Sequence, residues 1–142
     1  MADGSKTPAL DTWKELQERL PTDSELRKWF GGGEILGIAT IGGSVSGNLE
    51  QLDFDHDAVY TYPRWCELVE AEFPGLAAKF GTIQTPKVGN HVKYRVADFA
   101  VPGNGKLATS ADKRTIIETR GEGGYCIAPG SPAECHETGN LY

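Results

Sequence analysis

The sequence lacks any run approaching the roughly 18–20 consecutive apolar residues that a membrane-spanning helix needs. The first residues, Met1 to Lys6, contain no apolar core of the kind a secretory signal requires, so no leader is read there. Cysteine is scarce: Cys66, Cys126 and Cys135 are odd in number and form no CxxC pair, which argues against a disulfide framework and fits a reducing cytoplasm. The spacing of Cys126, Cys135 and His136 matches no standard zinc pattern. Gly42–Gly43–Ser44 is followed by neither the Gly-Lys-Ser/Thr of a P-loop nor a GxGxxG fingerprint. Positive charge is also short, with a formal net charge of −6, which argues against non-specific coating of nucleic acid.

The chain does have glycine, 18 among 142 residues, together with eight prolines, so short elements and many turns are expected. Its charge is unevenly placed. Residues 82–120 hold seven basic side chains against three acidic ones, a net of +4, inside an otherwise acidic chain. A basic segment of this kind suits a phosphate-bearing ligand, or else a solvated loop.

Apolar spacing predicts a short helix over residues 11–20, with Trp13, Leu16 and Leu20 on one face and Pro21 closing it. Thr22 with Glu25 three residues on is a capping box, opening a second helix that runs to Phe30. Residues 35–40 read as a buried strand, 48–55 as its hairpin partner, and 60–80 as a helix interrupted at Pro74–Gly75. Two further strand pairs follow, 82–85 with 91–96 and 115–120 with 125–128; residues 102–105 read as a turn. The fold class is α+β, with strand pairs predominating after the long helix.

Asp53–Phe54–Asp55 is the sharpest chemical feature. On a strand, Asp53 and Asp55 share one face about 7 Å apart while Phe54 faces the core. The pair reads either as an acidic strand end in solvent or as a site for a hard cation such as Mg²⁺, which selects carboxylate oxygens. His91, beside Asn90 and near Lys87 and Lys93, reads as a phosphate contact or as a surface histidine. Glu118 and Arg120 share a strand face, as a third metal carboxylate with its cation or as a solvent-exposed pair. An Asp-x-Asp at a strand end also occurs in phosphatases of the haloacid dehalogenase type, which expect Gly-Thr shortly afterwards and parallel βαβ units. Here His56–Asp57–Ala58 follows.

In order, the segments resemble the bifunctional primase-polymerase (prim-pol) domain of phage and plasmid replication proteins, within the archaeo-eukaryotic primase superfamily. The matching stretches are residues 3–10 with Trp13, Pro21–Thr22 through Trp29–Phe30, Ile38–Ala39–Thr40 with Val45–Ser46–Gly47, and Leu52–Asp53–Phe54–Asp55. Thr85–Pro86 with Gly89–Asn90–His91 follow, then residues 117–125 running to Ala128–Pro129–Gly130–Ser131. The resemblance implies a central, mostly antiparallel or mixed sheet flanked by helices. It implies Mg²⁺ or Mn²⁺, two ions, held by catalytic Asp53, Asp55 and Glu118, with His91 on the triphosphate of the incoming nucleotide and Asn90, Lys93 and Arg120 assisting. The implied activity is template-dependent DNA primase and polymerase chemistry on single-stranded DNA with NTP or dNTP. A helicase is a further expected partner, and a non-catalytic nucleotide- or DNA-binding relic is the alternative. Residues 1–142 are expected to form a single such domain, truncated at both ends.

Overall fold

The computed structural model describes residues 6–33 and 37–142. Its centre is a five-stranded sheet in the order β3-β4-β2-β6-β5, every neighbouring pair antiparallel. The strands are β2 (Leu49–Phe54), β3 (Gly81–Gln84), β4 (Asn90–Arg95), β5 (Gly105–Thr109) and β6 (Thr115–Arg120). A two-stranded ribbon joins β1 (Ala39–Ile41) to β7 (Tyr125–Ile127). The helices are α1 (Asp23–Phe30) and α2 (Ala58–Glu72). The α+β class is as expected, and no parallel βαβ unit occurs among the described residues.

Alternation in β2 sorts its side chains. Leu52 and Phe54 enter the core with Val92 and Ala58, and Tyr62, Trp65, Phe80, Tyr94 and Ile117 pack around them. The Phe54 ring lies 5.5 Å from both Tyr62 and Trp65, edge-to-face with each, so α2 is seated on this face by an aromatic cluster. The other face of the sheet carries Gln51, Asp53, His91, Lys93, Glu118 and Arg120 by the same alternation.

The capping box at α1 forms as expected: Glu25 N–H donates to Thr22 Oγ1 at 3.2 Å, and Thr22 N–H donates to Glu25 Oε2 at 2.7 Å. The helix expected over residues 11–20 is only a 3-10 turn, Lys14–Gln17. Leu20 is exposed, so the apolar stripe is covered only at Trp13 and Leu16, which are half-buried. The segment is pinned instead by tertiary contacts, Trp13 edge-on to Tyr125 and Gln17 Nε2 donating to the Gly123 carbonyl.

Three strand assignments need correction. The first strand was expected over 35–40; residues 35 and 36 lie outside the described residues, and β1 begins at Ala39. It pairs with β7 rather than with β2, because the chain between β1 and β2 is drawn to the loop after β6. There Gly42 N–H donates to the Gly124 carbonyl, and the Glu122 carboxylate accepts from the Ser44 N–H. A side chain at Gly42 would come within 2.4 Å of the Gly121 carbonyl oxygen, so only glycine permits this approach. Likewise β6 and β7 do not form a hairpin: β6 lies between β2 and β5, and β7 turns away to β1. The strand β5, where only a turn was expected, completes the edge of the sheet and carries a register shift between Lys106 and Ala108. The β3–β4 hairpin is as expected. Helix α2 starts two residues early and stops at Glu72, before Pro74–Gly75, with a separate 3-10 turn at Ala77–Lys79. No helix among the described residues is long and apolar enough to cross a membrane.

Candidate metal centre

Strand register assembles the site. Asp53 is opposite His91 on β4 and opposite Glu118 on β6, so three polar residues from separate strands form one cross-strand row, with Lys106 of β5 at its end. Cross-strand neighbours of this kind lie about 4.5–5.5 Å apart at Cβ. Asp55, one residue past the end of β2 and exposed, completes the acidic group. One carboxylate oxygen from each of Asp53, Asp55 and Glu118 lies within 4.8 Å of the others.

Asp53 is 7% exposed, and its Oδ1 has no hydrogen-bond partner among the described residues. His91 Nε2 stands 3.5 Å from it. A buried carboxylate oxygen without a hydrogen bond is costly, and a cation removes that cost. Arg120 supplies part of the compensation, with its Nη2 bonded to Glu118 and 3.7 Å from Asp53 Oδ2. Burial pushes the Glu118 carboxyl above its ordinary range; Arg120 opposes the shift and Asp53 and Asp55 reinforce it. An all-oxygen donor set of three carboxylates, one buried, fits a hard divalent cation.

A second row on the same face, Lys93–Gln51–Arg120, adjoins the first. Burial holds the Lys93 ammonium below its usual range. Cys126 of β7 lies alongside, its thiol pushed by burial up to about 12, so it is inert at neutral pH. Tyr142 covers the histidine, with ring centroids 5.9 Å apart.

The sequence-expected residues therefore converge with one exception. Asp53, Asp55, Glu118, His91, Lys93 and Arg120 share the site face. Asn90 is in register with Phe54, which puts it on the face toward α2. Gln51 escaped notice although it is in phase with Asp53 and Asp55, and alternation alone could have placed it on this face. Thr40 and Tyr142 come from the ribbon and the last residue; Thr40 stood in a family-like stretch without any sign of a site role, and no pattern marked Tyr142.

The model of a protein family described as bifunctional DNA primase/polymerase, N-terminal, matches residues 1–142. The chain belongs to this family. A search of curated proteins returned no significant match. Membership gives the arrangement its context: a prim-pol domain has DNA and nucleotides as its substrate classes, and its acidic triad could hold a metal ion.

Proposed function

We propose that this prim-pol chain is a template-dependent nucleotidyltransferase that extends or initiates a strand on single-stranded DNA, using NTP or dNTP. The observation that carries the reading is the cross-strand row His91–Asp53–Glu118 with Asp55 beside it, all on one polar sheet face. Asp53, Asp55 and Glu118 would hold two Mg²⁺ or Mn²⁺ ions. Such ions would activate the attacking 3′-hydroxyl and neutralise charge on the departing pyrophosphate.

The remaining side chains bind and orient. In this reading His91 would donate to a phosphate oxygen, and Arg120 and Lys93 would supply the positive charge that a triphosphate needs. Metal binding would release Arg120 from Glu118 and leave its planar guanidinium for bidentate phosphate contact. The aromatic cluster under Phe54 keeps β2 rigid, which holds Asp53 in place. The proposed setting is a phage or plasmid replication protein acting beside a helicase. The antiparallel sheet argues against the dehalogenase-type phosphatase, whose fold needs parallel βαβ units.

The test is synthesis on a single-stranded template with Mn²⁺ and NTPs or dNTPs. Product should form and should fall at least about 100-fold in Asp53→Asn, which keeps the size of the side chain but removes its charge. Nucleotide binding with no product from the unmodified protein would instead establish the non-catalytic relic.

A further inference from the structure

Lys93 is a half-buried ammonium group, and among the described residues no carboxylate pairs with it. Its Nζ donates to Thr40 Oγ1 at 2.7 Å. An ammonium group can only donate, so the Thr40 hydroxyl must accept here and spend its single proton elsewhere. Two acceptors lie within reach of that proton, Gln51 Oε1 at 2.8 Å and the Cys126 carbonyl at 3.4 Å, and the shorter contact gives it to Gln51; Gln51 Nε2 returns a bond to the Thr40 carbonyl at 3.3 Å. Gln51 is wholly buried and stands in register between Lys93 and Arg120. The polarity of the chain is thereby settled: Lys93 to Thr40, Thr40 to Gln51, and Gln51 back to Thr40.

This chain crosses between sheets. Thr40 belongs to β1, in the ribbon with β7, whereas Lys93 and Gln51 belong to the central sheet. A lysine head on a four-carbon stem loses considerable rotamer freedom when held in one place. The structure meets that cost with a hydroxyl from a different sheet and leaves the ammonium's other protons without a carboxylate. Lys93 is also two residues from His91 on the same face, about 7 Å along the strand, which is within reach of a polyphosphate seated at His91.

We propose that Thr40 is a positioning residue, whose hydroxyl, oriented by Gln51, holds the Lys93 ammonium toward the phosphates of the incoming nucleotide. The inference rests on the nucleotidyltransferase reading above. Thr40→Val keeps the branched shape and loses the hydroxyl. The expected result is a rise of about tenfold in KM for the nucleotide with kcat nearly unchanged, the signature of lost uniform binding. Thr40→Ser should restore KM. In a Lys93→Met background Thr40→Val should add nothing, because the two act as one unit. A merely structural role would lower kcat and Tm together and would not depend on Lys93.

Affinity for inorganic tripolyphosphate, measured by calorimetry without metal, should fall with Thr40→Val by a similar factor. Should Thr40→Val fail to fold, the Lys93 side-chain NMR resonance in the unmodified protein, assigned by its loss in Lys93→Met, must shift on adding tripolyphosphate. No shift overturns the proposal. So does an unchanged KM in Thr40→Val, or additive effects in the double variant, while the unmodified protein synthesises product; the nucleotidyltransferase reading then stands. If the unmodified protein neither binds nucleotide nor makes product, that reading fails and this proposal fails with it.

Discussion

Glu118 and Asp53 face each other across β2 and β6, and the charge of Asp53 adds to burial in making Glu118 harder to ionise. Arg120 lies between them and answers only part of that repulsion. In the metal-free protein the Glu118 carboxyl, raised by burial, keeps its proton to higher pH than it would in the unfolded chain. Its contribution to stability is thus greatest at low pH and is lost as pH rises through the raised value. Metal binding runs the opposite way, since a ligating carboxylate must shed its proton. Mn²⁺ affinity followed by calorimetry is therefore expected to climb as pH rises above the ordinary carboxylate range. Glu118→Gln should flatten that climb as well as weaken binding. An unchanged pH slope in Glu118→Gln would mean that another group controls the response.

The strand β2 does two jobs by alternation: Leu52 and Phe54 anchor it to α2, while Gln51 and Asp53 face the site. Its position as the middle strand supplies neighbours on both sides for each polar residue. Phe54 is fully buried against Tyr62 and Trp65. Phe54→Ala should cost about 3–5 kcal/mol in urea denaturation, a large share of the stability of a domain this size. The glycines at the other end of the site matter through contact rather than flexibility. A Cβ on Gly121 would stand 2.0 Å from the Pro102 carbonyl oxygen, so the loop after β6 could not close against that segment. At this scale the sequence was partly legible. The capping box of α1, the 3.6-residue apolar period of α2 and the alternation in β2 are local signals, and each appeared where expected. The three-residue strands β1 and β7 and the edge strand β5 are too short or too polar to show a period, and their partners are set by contacts distant in sequence.

Across the whole molecule, the net charge of −6 and the acidic cluster set the conditions for metal and template. A folded site that binds a cation the unfolded chain does not bind gains stability by mass action. The gain is about 2.7 kcal/mol at a hundredfold excess over Kd. Mn²⁺ should accordingly raise the Tm of the unmodified protein by several degrees and that of Asp53→Asn by far less, as read by calorimetric melting. Equal stabilisation of both proteins would place the metal elsewhere. The sequence alone determined the acidic pair, the basic stretch over residues 82–120, the α+β class and the family resemblance, because composition, period and motif order are properties of the chain read in line. Only the tertiary structure decided that His91, Asp53 and Glu118 form one row, that Asn90 lies on the other face, and that Thr40 reaches Lys93. Antiparallel register and the packing of one sheet on another are settled by contacts between residues far apart in the chain, and no local pattern encodes them.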